Sequence, residues 1–283
     1  MNLLQVESLT KSFGKSKGIF NIDMSITKGK VLALMGSNGA GKSTLIKSLL
    51  ARLKYDSGNI TWFNNQSFDK NRESILQKIG YVSDEPILFE TETISSMVNW
   101  VSKFYINWDI DYQKWLMDKF QLDPSDKIAT LSRGMKRKLS LLLALSYRPQ
   151  FLVLDEASSG LDPETRDDLM EILVDFVSEQ NNGVLYVTHY LEEVEKIATD
   201  LLILNHGKIS EQINLSTLDQ FRNLNKQELN QNNIDPKSIK YFDEKTDSYL
   251  VQNNPSLQMS NDLFIQLGES TDLRDLYNCV RIS

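Results

Sequence analysis

The run Gly36-Ser37-Asn38-Gly39-Ala40-Gly41-Lys42-Ser43-Thr44 limits what this chain can fold into more than any other stretch. It fits the pattern G-x-x-x-x-G-K-[ST]. A continuous apolar run, Val31–Met35, stands before it, and helical apolar spacing (Leu45, Ile46, Leu49, Leu50, Leu53) follows it. An apolar run bounded by turns reads as a buried strand, so the expected unit is strand, glycine loop and a helix over 42–53. Glycines at 36, 39 and 41 let the backbone wrap a polyphosphate with its N–H groups pointing inward, where a Cβ would obstruct. The helix points its positive end at the same anion. Lys42 then supplies a cation for the β/γ-phosphates, and the Ser43 hydroxyl is placed to ligate Mg²⁺.

A second run carries acid. Phe151-Leu152-Val153-Leu154-Asp155-Glu156 reads as a buried strand delivering two carboxylates to its carboxyl end, where ligands sit in doubly wound sheets. Asp155 would hold the Mg²⁺ shell, and Glu156 could polarise an attacking water. Other short strands are expected at 22–26, 60–63, 79–82, 184–188 and 201–204. Helices are expected over 135–146, over 163–179 behind Asp162, and over 192–198. Strands alternating with helices imply an α/β fold with a mostly parallel sheet.

Composition narrows the class further. The chain has 283 residues, 41% hydrophobic and 24% charged, which suits one large globular domain or one domain with an appendage. A single cysteine, Cys279, rules out an internal disulfide and suits a reducing compartment. The apolar runs are too short to span a bilayer, and the first residues lack the pattern of a secretory peptide. The chain is therefore expected in the cytosol. A net charge of -7 argues weakly against nucleic acid as a partner, and none is expected.

Further motifs, in order, resemble those of the nucleotide-binding subunit of an ATP-binding cassette (ABC) transporter. Lys11-Ser12-Phe13-Gly14 resembles the segment whose aromatic stacks on adenine. Leu131-Ser132-Arg133-Gly134-Met135 resembles the family's signature loop. Ser159-Gly160-Leu161-Asp162 resembles the loop that communicates across the dimer, and Thr188-His189 resembles the switch histidine. The resemblance covers about residues 2–212. It implies a P-loop NTPase cassette with a Walker A loop, a small antiparallel β region, an inserted helical subdomain at about 90–145, and an appendage over 215–283. It implies ATP hydrolysis with Mg²⁺, with Lys42, Glu156 and His189 catalytic. Phe13, Gly36, Asn38, Gly39, Ala40, Gly41, Lys42, Ser43 and Thr44 would hold the nucleotide. Ser132, Gly134 and Asp162 would meet it or its partner across a dimer, and Ser43, Asp155 and Asp84 would face the metal. The implied partners are an integral membrane permease and a second ATPase subunit, identical or related. The implied location is the inner face of the cell membrane, with the chain peripheral to it. His206, beside Gly207, reads as an ordinary turn residue.

The chain departs from that pattern in places. Asp84 in Tyr81-Val82-Ser83-Asp84-Glu85-Pro86 stands where the family carries glutamine; a carboxylate adds charge and lacks the amide's donor. Arg133 stands where glycine is usual, either meeting phosphate or ribose or pointing to solvent. Ala157-Ser158 replaces proline and threonine. The variant signature with Met135 and Lys136-Arg137-Lys138 resembles a bacterial exporter subgroup with separate membrane subunits, which handle lipid, drug or peptide-like substrates. The opposing reading is a weakly catalytic or non-catalytic nucleotide-binding regulator.

Three stretches stay general. The aromatic run Trp100, Phe104, Tyr105, Trp108, Tyr112, Trp115, Phe120 forms either the core of a helical subdomain or the lining of a groove for a membrane partner. The basic run Lys136–Lys138 reads as a solvated helix face. The Asn/Gln-rich stretch 223–233 reads as a linker or solvated helix, with strands near 241–249 and a final helix near 262–267.

Overall fold

The structure is a computed structural model. It describes residues 1–14, 17–178, 182–225, 239–243, 248–252 and Leu273. Strands β1 (Asn2–Ser12), β2 (Gly18–Thr27) and β4 (Ser57–Trp62) form an antiparallel sheet in the order β2-β1-β4. The larger sheet takes β3 (Lys30–Met35), β5 (Ile79–Val82), β6 (Phe151–Asp155), β7 (Gly183–Val187), β8 (Asp200–Asn205) and β9 (Lys208–Asn214). Its order is β5-β6-β7-β3-β8-β9, parallel throughout except for the β8–β9 hairpin at the edge.

That order positions the site. Strand β7 lies between β3 and β6, with Leu34 and Asp155 both in register with Val187. The carboxyl ends of these strands therefore lie side by side, each released into a loop: the glycine run after β3, Asp155-Glu156 on β6, Thr188-His189 after β7. Parallel strands buried on both faces tolerate apolar runs without alternation, which explains the unbroken Val31–Met35 and Phe151–Leu154.

One core lies between the two sheets and the helix α1 (Lys42–Leu49). Trp62 there stands edge-on to Phe151 at 5.1 Å. A second lies on the side of α3 (Ile94–Ser102), α4 (Ile110–Lys119), α5 (Arg133–Leu145) and α6 (Pro163–Ser178). Helix α1 ends earlier than its apolar spacing predicts, because Ala51 takes a left-handed φ of 51°. Helix α2 (Phe68–Leu76) is not foreseen; it buries Ile75 alone, too little to give an apolar period. Within the expected helical subdomain, α3 and α4 are capped by Thr93, whose hydroxyl accepts from Ser96 N–H, and by Asp109, whose carboxylate accepts from Tyr112 N–H.

The aromatic run divides between its two readings. Phe120 is core, and Trp108 and Tyr112 pack against it, while Tyr105 stacks on the buried Tyr147 at 3.6 Å. Trp100 and Phe104 stay exposed, and form with Phe89 an edge-to-face ladder on the surface. The basic run is not a solvated face. Arg137 is fully buried, Lys138 meets Asp162 at 3.5 Å, and Lys136 donates to Glu90 at 2.6 Å. Sequence charge misleads here because α5 is covered on more than one side.

Beyond a 3₁₀ helix at Leu215–Gln220, strands β10 (Phe221–Asn225), β11 (Ile239–Asp243) and β12 (Ser248–Gln252) form an antiparallel sheet in the order β10-β12-β11. Residues 223–225 are thus strand rather than linker. The rest of 223–233 and the helix expected near 262–267 lie outside the described residues. Leu273 is buried with Ala33, Met35, Val194, Leu201, Ile203 and Ile213, so this one residue packs against the main sheet. Among the described residues no helix is long and apolar enough to cross a membrane.

Candidate active site

The glycine loop is shaped by what backs it. A Cβ on Gly36 (φ 155°) would come within 2.3 Å of Leu204 O, and one on Gly41 (φ 111°) within 2.8 Å of Ile19 Cγ2. The Asn205-His206-Gly207 turn, between β8 and β9, supports the loop directly, with Gly207 N–H donating to Ala40 O at 2.9 Å. Lys42 folds back over the loop and donates through Nζ to Gly36 O (2.6 Å) and Ser37 O (3.2 Å). Half-burial lowers the lysine's pKa, and the nearby Glu156 and Asp155 partly offset that.

The loop forms one wall of a cleft of about 410 Å³. Asn38, Gly39, Gly41, Lys42, Ser43 and Thr44 line it from α1's side, and Asp84, Asp155, Glu156 and His189 line it from the loops after β5, β6 and β7. Sequence positions far apart thus meet in one concavity. Gly36 and Ala40 shape the loop from behind and do not line the space.

Two carboxylates sit at the floor. Burial first, then the charges of Asp84 and Glu156, raise the Asp155 pKa to about 6 against the opposing pull of Lys42 and Arg137. Excess negative charge of this kind is what a divalent cation neutralises. Asp155, Asp84 and the Ser43 hydroxyl supply hard oxygen donors, and Mg²⁺ ordinarily takes only one or two carboxylates beside substrate phosphates. The residues present therefore fit Mg²⁺. Glu156 adopts a left-handed φ of 52°, with its N–H donating to Val187 O at 2.9 Å. Such a backbone is uncommon for a residue with a Cβ and is over-represented at functional sites. His189 Nδ1 lies 2.7 Å from Glu156 Oε2.

Below His189 lies a group that sequence reading missed. Glu193, on α7 (Leu191–Ile197), is buried and accepts from Tyr186 Oη at 2.9 Å and Thr188 Oγ1 at 2.6 Å. Thr188 Oγ1 in turn accepts from Tyr190 N–H at 3.1 Å. Arg166 on α6 approaches Glu193 Oε1 at 3.5 Å and lies over the Tyr190 ring. The buried carboxylate thus holds Thr188 directly and, through the Thr188 hydroxyl, the backbone of Tyr190, the two neighbours of His189. Its signal in the sequence is faint, an acidic pair in a helix's first turn.

Asp84 is a paired carboxylate. Its Oδ1 meets Arg137 at 3.2 Å and Arg133 at 3.5 Å. Arg133 also lines the cleft, which favours the phosphate side of its two sequence readings over solvent alone. Ser37 and Ser159 line the cleft as well and were not singled out.

Phe13, Ser132, Gly134 and Asp162 do not line this cleft. Phe13 is exposed beyond β1, with Lys11 Nζ 5.5 Å from its ring centroid. Ser132 caps α5, accepting from Met135 N–H, and a Cβ on Gly134 would meet Gly160 O at 2.8 Å. Asp162 caps α6 through Thr165; these hydrogen bonds hold its carboxyl down at about 2.

Comparison with known proteins identifies the family and the fold. The profile of the family described as ABC transporter matches residues 19–159, and one described as AAA domain, putative AbiEii toxin, Type IV TA system matches 127–195. The linearmycin resistance ATP-binding protein LnrL of Bacillus subtilis (strain 168) is 34% identical over 212 residues, covering 73% of this chain and 68% of that one. The lantibiotic transport ATP-binding protein SrtF of Streptococcus pyogenes is 34% identical over 216 residues, 73% of this chain and 89% of that one. A solved structure titled as the ATP binding subunit of an ABC transporter superposes with a TM-score of 0.71 at 26% identity, covering 76% of this chain and 91% of that one. With the loop, the paired acid and the histidine gathered in one cleft on this fold, the chain belongs to the ATP-binding subunits of ABC transporters.

Proposed function

We propose that this chain binds ATP with Mg²⁺ and hydrolyses it to drive a separate membrane permease that exports a lipid, drug or peptide-like substrate. The observation that carries the reading is the convergence on one cleft of the glycine loop, Asp155, Glu156 and His189. The loop N–H groups and Lys42 bind and orient the polyphosphate. Glu156 takes a proton from the attacking water, a contribution of about 10²–10⁴-fold in such reactions. His189 touches Glu156 and steadies the same water and the γ-phosphate. Ser43, Asp155 and Asp84 would hold Mg²⁺, which when bound neutralises phosphate charge.

The dimer follows from what the cleft lacks. Ser132 and Asp162 are exposed, and with Gly134 they lie away from the cleft of their own chain, which suits completion of the opposite chain's site. The second subunit is an identical or related chain. Phe13 would stack on adenine at the exposed end of β1.

The permease is expected to bind beside the loop after β5. A groove of about 250 Å³ runs there between Pro86, Ile87 and Leu88 on one side and Val101, Tyr105 and Tyr147 on the other. The exposed Phe89–Trp100–Phe104 ladder adds aromatic anchors of the kind interfaces use. The chain would then sit at the inner face of the membrane, peripheral to it, with residues 1–214 as the cassette and 215–283 as an appendage. The names of LnrL and SrtF support a drug or peptide-like cargo.

Phosphate release by the purified chain with its permease tests the reading. A loss of turnover of about 10²–10⁴-fold in Glu156→Gln, with ATP binding and an ATP-dependent dimer retained, is expected. Nucleotide binding without any wild-type turnover would support a regulator instead.

A further inference from the structure

The residue that the sequence placed on a solvated helix face, Arg137, is among the most deeply buried large side chains of the molecule. Its guanidinium donates to two consecutive backbone carbonyls, Ser83 O and Asp84 O, and a further contact reaches Asp84 Oδ1 at 3.2 Å. Those neighbouring residues face different spaces. Asp84 lines the nucleotide cleft, and Ser83 lines the groove beside it. Ser83 Oγ also donates to Glu85 O at 2.8 Å, stiffening the turn between them.

We infer that Arg137 is a positioning residue that clamps the Ser83–Asp84 segment as one rigid wall shared by the cleft and the groove, so that movement on either side is transmitted to the other. The inference rests on the reading of the cleft as the nucleotide site. The chemistry explains why arginine stands here. A planar fork spans two adjacent carbonyls and a carboxylate at once, which a lysine ammonium cannot do. A buried cation needs an acid, and Asp84 supplies it where a glutamine amide would carry no charge to balance it. The aspartate in place of glutamine and the buried arginine are thus two halves of one device. Arg133, one helical turn before Arg137, adds a second and largely exposed contact to the same carboxylate oxygen. Because α5 begins at the Ser132 cap, the helix that presents the signature loop also holds this wall.

Hydrogen–deuterium exchange on the full chain, with and without Mg²⁺ and a non-hydrolysable ATP analogue, tests the clamp. In the wild type, nucleotide should slow exchange at 83–88 and, together with it, at groove residues 101–105, with the same midpoint concentration. In Arg137→Met and Arg137→Gln, analogue affinity should stay near that of the wild type. The response at 101–105 should be lost while that of the glycine loop persists. A wild-type response at 101–105 in either folded variant would overturn the inference. So would separate midpoints for 83–88 and 101–105 in the wild type, which keeps the test decisive if both variants fail to fold. No analogue binding by the wild type would instead overturn the reading of the cleft itself.

Discussion

His189 Nδ1 lies 2.7 Å from Glu156 Oε2, and the two residues come from loops at the ends of adjacent parallel strands. The glutamate is largely buried and the histidine is more than half exposed, so the pair joins the floor of the cleft to its rim. Removing either partner should affect chemistry more than fold. Glu156→Gln keeps the shape and removes the proton acceptor; turnover should fall about 10²–10⁴-fold with little loss of ATP affinity. Single-turnover phosphate release beside equilibrium ATP binding measures the two effects separately.

Lys42 should act on binding. Its ammonium donates to Gly36 O and Ser37 O, and a phosphate would replace those carbonyls as partner. Lys42→Ala should cost about 1.5–3 kcal/mol of nucleotide binding, roughly 10- to 150-fold in Kd. Calorimetric titration with ATP and Mg²⁺ checks this, and an unchanged Kd would contradict the assignment.

Glu193 should matter for stability first. Glu193→Ala leaves the hydroxyls of Tyr186 and Thr188 without their buried acceptor and Arg166 without its acid. A loss of about 2–4 kcal/mol is expected, read from urea unfolding. Thr188→Val keeps the carboxylate and frees the Tyr190 N–H, so it should slow turnover at a smaller cost in stability.

Asp155 gives the pH dependence. Its pKa is raised in the folded chain from an ordinary value near 3.8 to about 6, chiefly by burial. Between those values the folded chain binds a proton that the unfolded chain lacks. The stability associated with Asp155 is therefore full below about pH 3.8 and is lost as pH rises through about 6. At pH 7 the ionised carboxylate destabilises the fold, and Asp155→Asn should stabilise the protein without added nucleotide by about 1–2 kcal/mol, screening by solvent included. The same variant should lose Mg²⁺-dependent nucleotide binding. Thermal melts across pH 4–8, with and without Mg²⁺ and ATP, separate the two effects.

Much of the candidate site is legible in the sequence because each part is local. Gly36–Thr44 must turn between a strand and a helix, and the two apolar runs with polar ends name the strands whose tips meet. The unforeseen parts arise from packing between distant segments. Helix α2 carries too little apolar surface to announce itself, and the aromatic run splits between core and surface according to the chain folded around it. Lys136-Arg137-Lys138 looks the same as any solvated basic stretch until α5 is covered.

The histidine after β7 is named only through the family resemblance; by itself the sequence determined the glycine loop, its strand and helix, and the acid at the end of β6. Local backbone geometry and apolar periodicity are enough for these, since their partners lie within a few residues. Only the tertiary structure decided that Glu193 is buried beneath His189, that Arg133 reaches the cleft, and that Arg137 grips Ser83 and Asp84. Burial and pairing of a charge depend on which segments the fold brings against it, and no local pattern records that.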